Sequence, residues 1–254
     1  AAIQALGHGT TTTTNAMLER KIARVGLVTN HTGLAADGQS TIDLMWKAGS
    51  GANATFTLAA LFSPEHGIRG ILDANVPAER DTATGLTIHS LYGDTQRPTA
   101  AMLNGLDAIV VDLQDIGARY YTYMTTMAYV LEEAAPRKLK VFVLDRPNPL
   151  GGNRVEGPMV EKKWISFVGQ LPVPFVHGMT AGELARMLND KGWMGSKCKL
   201  SVVRMEGWSR DMAWRDTGLK WVKTSPNIPR ADSPLYYVAT GLAGELAGLE
   251  IGIG

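Results

Sequence analysis

The stretch Asp107–Tyr123 constrains the chain most, because it runs a buried strand, a polar tip and the opening of a helix pattern into one short segment. Ala108–Leu113 is a β-branched apolar run broken only by Asp112, which is how a strand buried on both faces reads. It ends in Gln114, Asp115 and Gly117, a polar tip followed by a residue that tolerates unusual backbone angles. A helix pattern then opens at Arg119, with Tyr120, Tyr123, Met124, Met127, Val130, Leu131 and Ala134 spaced by three or four. Pro136 closes it, and Leu139–Leu144 is a second apolar strand. Strand, helix, strand is a βαβ unit, right-handed almost without exception, so the two strands run parallel. Ligands bind such sheets beyond the carboxyl ends of the strands. Gln114, Asp115 and Arg119 are thereby expected beside Asp145, Arg146 and Asn148.

Further strands are predicted at Arg24–Thr29, Thr55–Phe62 and Thr87–Leu91, with helices at Thr41–Ala48 and Thr99–Leu106. Ser40 with Asp43 forms a capping pair, and Gly49 suits the position past the helix end. Gly70–Thr84 reads as a charged loop. Successive strands end in Asn30-His31, Glu65-His66, Gln114-Asp115 and Asp145-Arg146-Pro147-Asn148. Loops are polar in any protein, yet four tips this rich in His, carboxylate and Asn exceed what turn chemistry needs. Parallel strands would bring all four to one rim. The expected class is α/β with a mostly parallel sheet.

Past Pro147 the character changes. Pro149–Pro158 is a Gly/Pro loop and marks a domain boundary. Thr180 with Glu183 forms a capping box ahead of Leu184, Met187 and Leu188. Lys199–Met205 reads as a strand and Lys223–Pro234 as a Pro-rich loop. Ser233-Pro234 opens a helix that Gly248 ends, and Leu249–Ile251 is strand-like. The organisation expected is a flexible Thr-rich lead-in over 1–20, a sheet domain over 21–150, and a smaller α+β domain over 151–254, truncated at its C-terminal end.

Composition excludes several function classes. With 254 residues, 45% hydrophobic and 19% charged, the chain is an ordinary globular one. A net charge of +1 leaves no footprint for nucleic acid or an anionic membrane. No run approaches the roughly 20 apolar residues of a membrane helix, so membrane insertion is not expected. Cys198 stands alone, which rules out internal disulfides and thiolate zinc sites. No Gly-x-Gly-x-x-Gly follows the first strand, and neither a Walker loop nor a Gly-x-Ser-x-Gly elbow occurs, so no cofactor is expected.

The rim residues carry the chemistry. Pro64 stiffens the turn Ser63-Pro64-Glu65-His66-Gly67 and Gly67 frees its backbone, which holds Glu65 and His66 at a strand end. Two readings fit Glu65: a general acid in a partly buried cleft, or a surface carboxylate capping the turn. Strand alternation puts Asp112 within the sheet layer as a loop anchor and Asp115 past its end as the better catalytic candidate. Arg119 either pairs with Asp115 or holds an anionic substrate group. Tyr120, Tyr121 and Tyr123 fit a cleft, with at least one in the core. Trp164, Trp193, Trp208, Trp214 and Trp221 serve as core or as sugar platforms, core being the commoner use. His177, at a helix mouth, is a ligand-binding residue or a polar loop residue. A metal site drawn from His31, Glu65, His66 and Asp115 stays open as a rival, although the His-x-x-Glu and His-x-His spacings that would sharpen it are absent. A non-catalytic saccharide-binding protein is the other rival.

An ordered string of motifs carries a resemblance. These are Val25-Gly-Leu-Val-Thr-Asn-His-Thr-Gly33, Leu61-Phe-Ser-Pro-Glu-His-Gly67, Asp112-Leu-Gln-Asp-Ile-Gly-Ala-Arg-Tyr-Tyr-Thr-Tyr123 and Asp145-Arg-Pro-Asn-Pro-Leu-Gly-Gly152. Val155-Glu-Gly157, His177-Gly-Met-Thr180, Met205-Glu-Gly-Trp208 and Ser225-Pro-Asn227 continue it. The chain resembles the NamZ-type exo-β-N-acetylmuramidases. The resemblance implies a Rossmann-like first domain, a smaller second one and an active cleft between them. It implies release of N-acetylmuramic acid (MurNAc) from the non-reducing end of peptidoglycan fragments, hence a saccharide partner and a periplasmic or extracellular setting. On that reading Glu65 is the general acid, with Asp115, His66 and Tyr123 as catalytic neighbours. Asn30, His31, Arg119, Arg146, Asn148, Glu156, His177 and Asn227 are the expected substrate contacts, with no metal. The lactyl carboxylate of MurNAc gives a rim arginine, Arg119 or Arg146, a physical purpose.

Overall fold

On the strand Ala108–Asp112 (β5), Ala108 and Val110 enter one hydrophobic core, and Ile109 and Val111 enter another. Alternate side chains of a strand point to opposite faces, so this strand is covered on both. The same alternation runs through Ala23–Thr29 (β1), where Val25 and Leu27 face one core and Val28 the other. On Lys140–Leu144 (β6), Phe142 and Leu144 alternate with Val141 and Val143. The computed structural model describes residues 22–69, 79–193 and 195–247. The lead-in expected at 1–20, much of the loop at 70–84, the helix end at Gly248 and the strand-like Leu249–Ile251 lie outside the described residues.

The main sheet comprises β1, Phe56–Ser63 (β2), Glu79–Arg80 (β3), Thr87–Ser90 (β4), β5, β6 and Lys199–Val203 (β9). Its order is β3-β4-β2-β1-β5-β6-β9, and every neighbouring pair is parallel except the two-residue edge strand β3 on β4. Helix Thr41–Gly49 (α1) covers one face with Ile42 and Met45. Helices Thr122–Ala134 (α3) and Ala181–Lys191 (α4) cover the other. This is a doubly wound, Rossmann-like sheet, as expected.

Element ends follow local chemistry. Ser40 caps α1 by accepting from the Ile42 N–H, while Gly49 remains within the helix and Ser50 takes the cap position. Ala100–Leu103 (α2) is shorter than predicted, because Asn104 leaves helical geometry and Gly105 turns the chain at φ +73°. The Thr180–Glu183 capping box of α4 forms in full, and Gly192 in left-handed geometry ends that helix. Helix Ser233–Ala247 (α5) starts at the predicted Ser-Pro pair.

β9 pairs with β6 from Lys140↔Lys199 to Leu144↔Val203. The main sheet therefore runs on through α4 and β9, beyond the Gly/Pro stretch around residue 150. A two-stranded ribbon, Glu156–Met159 (β7) against Pro174–Val176 (β8), is inserted between β6 and α4. Among the described residues no helix is long and apolar enough to cross a membrane.

Candidate active site

β1 is followed in the sheet by β2 on one side and by β5 on the other, so the winding direction reverses between β1 and β5. Open α/β sheets bind ligands in the crevice at such a reversal. The two tips there are Asn30-His31 and Gln114-Asp115. Thr32 stitches them together: its N–H and Oγ1 donate to Asn30 Oδ1 at 2.9 and 2.6 Å, and its Oγ1 accepts from the Gln114 N–H at 3.2 Å. Among the described residues, four buried side-chain atoms on these tips have no hydrogen-bond partner: Asn30 Nδ2, His31 Nδ1, Gln114 Oε1 and Asp115 Oδ1. Buried polar groups are nearly always satisfied, so this concentration marks a surface built to meet a ligand.

Glu65 and His66 form the tip of β2. His66 holds φ +73° and Gly67 φ +78°, a left-handed pair that aims both side chains off the strand end. Thr122 Oγ1, on the first residue of α3, donates to Glu65 Oε2 at 2.7 Å. The Glu65 side chain is thus tied to the first residue of α3. Its Oε1 lies 3.9 Å from His66 Nε2, and the side chain is 25% exposed.

Tyr123 is fully buried and donates its hydroxyl to the Thr224 carbonyl at 2.6 Å. Burial pushes its phenol above the ordinary range, and the nearby Glu65 charge adds to the effect. The Tyr121 ring meets it edge-on at 4.7 Å, and the His66 ring at 6.5 Å. His31 Nε2 lies 2.6 Å from the Lys223 carbonyl. A carbonyl only accepts, so Nε2 carries the ring proton and Nδ1 keeps a bare lone pair. Burial lowers the His31 pKa, against the raising effect of the Lys223 carbonyl, which keeps the ring neutral at neutral pH.

Asp115 is held from two sides. The Gly117 N–H donates to its Oδ2 at 3.0 Å, and His177 Nε2 lies 3.3 Å from the same oxygen without hydrogen-bond alignment. His177 Nδ1 accepts from the Met179 N–H at 3.2 Å, so the neutral ring carries its proton on Nε2, on the Asp115 side. Gly117 sits at φ +86°, and a Cβ there would fall 2.3 Å from Asn148 Oδ1. Gly117→Ala is expected to cost about 1–3 kcal/mol through strain at a left-handed position. Denaturant unfolding checks this, and an unchanged midpoint would show that the turn relaxes freely.

The family model for the N-terminal part of the exo-β-N-acetylmuramidase NamZ matches residues 25–232. The chain belongs to the NamZ N-terminal family. It is 44% identical over 221 residues to the peptidoglycan β-N-acetylmuramidase NamZ of Bacillus subtilis (strain 168), a match covering 86% of this chain and 52% of that protein. A crystal structure of a DUF1343 family protein from Bacteroides fragilis NCTC 9343 superposes with TM-score 0.88 at 43% identity, covering 99% of this chain and 62% of that one. A second DUF1343 protein from the same organism gives TM-score 0.77 at 32% identity, covering 95% and 61%. The chain spans about half the length of the curated relative it matches. All four tips fall inside the NamZ match.

Within this NamZ fold the structure places the other expected site residues as follows. Arg119 precedes α3 rather than opening it, because residues 118 and 119 pair with β8: Ala118 bridges Val176, and the Arg119 N–H donates to the Phe175 carbonyl at 2.8 Å. Its guanidinium does not pair with Asp115; Nη1 donates to the Pro158 and Val173 carbonyls, both at 2.7 Å. Arg146 gives Nε to Asp112 Oδ1 at 2.6 Å and Nη2 to the Leu34 carbonyl at 3.0 Å. Asn148 is a structural clamp, donating to the Met179 carbonyl and accepting from the Leu150 N–H, both at 2.9 Å. Glu156 is exposed on β7 and paired with Arg154. Asn227 is exposed on the loop whose Lys223 and Thr224 carbonyls hold His31 and Tyr123.

Among the described residues no three His, Cys, Asp or Glu side chains gather as a metal-ligand set. Thr122 went unread in the sequence, though it stands beside Tyr123 at a helix start. The Lys223 and Thr224 carbonyls leave no side-chain signal at all. Of the tryptophans, Trp214 is buried edge-on against Trp221 at 4.8 Å, while Trp164 and Trp193 are exposed.

Proposed function

We propose that this chain carries the catalytic cleft of an exo-acting β-N-acetylmuramidase, which removes MurNAc from the non-reducing end of peptidoglycan fragments. One observation carries the reading: Glu65 is tethered through Oε2 to Thr122 and remains a quarter exposed, at a rim that also presents the unpartnered Asp115 Oδ1. The tether leaves Glu65 Oε1 to carry the proton. As the glycosidic bond breaks, that proton passes to the leaving oxygen, whose departure would otherwise cost a full negative charge. Asp115, fixed at Oδ2, offers Oδ1 as the second carboxylate such hydrolysis uses. The His31 Nδ1 lone pair and Asn30 Nδ2 supply an acceptor and a donor for sugar hydroxyl and amide groups. Peptidoglycan lies outside the cytoplasmic membrane, so the same reading places the enzyme there.

The N-acetylmuramic specificity rests on Arg119. It is 9% exposed, its Nε has no partner, and it makes no ion pair among the described residues. A buried guanidinium without an anion is costly, and a lactyl carboxylate would offset that cost. Arg146 is the weaker candidate, since Asp112 already neutralises it. Incubation with a chromogenic MurNAc glycoside beside its N-acetylglucosamine analogue tests the proposal. Turnover of the first in strong preference to the second is expected, and turnover of neither would overturn it. Arg119→Lys keeps the charge but loses the planar fork, and is expected to narrow that preference by roughly tenfold, a differential binding loss of about 1.4 kcal/mol. An unchanged preference would assign the carboxylate to another group.

A further inference from the structure

The Gln114 side chain has no role in the hydrolysis proposed above, yet its amide is firmly oriented. Its Nε2 donates to the Asp115 and Pro147 carbonyls, both at 2.8 Å. Two carbonyl partners leave no doubt which end of the amide is nitrogen, since a flipped oxygen would face two other oxygens. Oε1 therefore points away from them, and it is buried without a partner among the described residues, on a residue only 4% exposed. A side-chain acceptor fixed this way and left unmet is destabilising unless a ligand donor reaches it.

Gln114 lines an open cleft of about 240 Å³. One wall is the turn after β1, with Leu34 and Ala35, and the other is the segment with Trp214, Leu219 and Val222. Arg146 and Lys220 also line it, and Glu65 does not. The cleft thus offers one buried acceptor, the cationic donors Arg146 and Lys220, the exposed Asp37 carboxylate and apolar walls. We propose that it binds a secondary amide, whose N–H donates to Gln114 Oε1, whose carbonyl oxygen faces the N–H donors of Lys220 and Arg146, and whose acyl carbon lies on the apolar wall. Two parts of a peptidoglycan fragment have this chemistry, the acetamido group of a neighbouring sugar and the stem peptide. The choice between them rests on the glycosidase reading, whereas the amide class does not.

Binding without turnover separates this proposal from that reading. Isothermal titration of the protein with N-acetylglucosamine, glucosamine and glucose forms one arm, and N-acetyl-alanine methylamide against alanine forms the other. At least tenfold tighter binding of the acylated member is expected in one arm, and the arm that responds names the source. Gln114→Met should abolish the preference, and so should Ala36→Trp, an exposed position on the cleft lining where a large side chain fills space without touching the core. Equal binding of acylated and unacylated members in both arms would overturn the proposal, even if MurNAc glycosides are hydrolysed. A preference untouched by Ala36→Trp would overturn it too, by placing the amide elsewhere.

Discussion

Glu65→Gln is expected to leave the fold intact and to cut hydrolysis of an unactivated MurNAc disaccharide by about 10²–10⁴-fold, the usual worth of a positioned general acid. The substitution is isosteric, and a glutamine oxygen still accepts from Thr122 Oγ1. The contact it removes, Glu65 Oε1 to His66 Nε2 at 3.9 Å, is long and partly solvated. Such pairs contribute about 0–1 kcal/mol, so thermal unfolding should barely move. The loss should fall on kcat, because the proton is delivered in the transition state. An aryl glycoside whose leaving group needs little protonation should be spared in part. Near wild-type turnover of the disaccharide by a folded variant would remove Glu65 from the acid's role.

The second large effect is on stability. Asp112 is wholly buried, with Oδ1 on Arg146 Nε and Oδ2 on Thr41 Oγ1, both at 2.6 Å. Arg146→Met leaves that carboxylate in the sheet layer with only a hydroxyl for company. Breaking a buried pair from one side costs about 3–5 kcal/mol, since the surviving charge is uncompensated. For a chain of this size that corresponds to roughly 6–20 °C in melting temperature. The double variant Arg146→Met/Asp112→Leu should be less damaged than the single one, because no orphaned charge remains. If the single variant unfolds within a degree or two of the parent, the pair is not the tie between β5, α1 and the turn after β6.

The rim was legible because buried parallel strands announce themselves as apolar runs, and the polar residues just past each run stand at its carboxyl end. That logic brings Asn30, His31, Glu65, His66, Gln114 and Asp115 to one edge from residue order alone. Arg119 was expected to open the helix, and it does not for a definite reason. Helical spacing sees residues three and four apart, whereas the backbone of 118 and 119 is claimed by Phe175 and Val176, far along the chain. Arg146 shows the same blindness in another form. Its place just after β6 suggested a free cation, but strand alternation sends Asp112 of the adjacent strand toward it. The carbonyls that orient His31 and Tyr123 lay beyond any reading of residue types.

Those carbonyls determine how the site can drift. His31 and Tyr123 are gripped by the main chain at Lys223 and Thr224, in a loop whose ends are joined by Trp221 Nε1 donating to the Ile228 carbonyl at 3.2 Å. Main-chain grips are indifferent to which side chain the residue bears, so positions 223 and 224 are open to exchange as far as these two contacts go. They are not indifferent to chain length. Inserting or deleting one residue between Trp221 and Thr224 would carry both oxygens out of reach at once, loosening a residue of the β1 tip and another on α3 in a single step. Around this cleft, spelling is free where spacing is not.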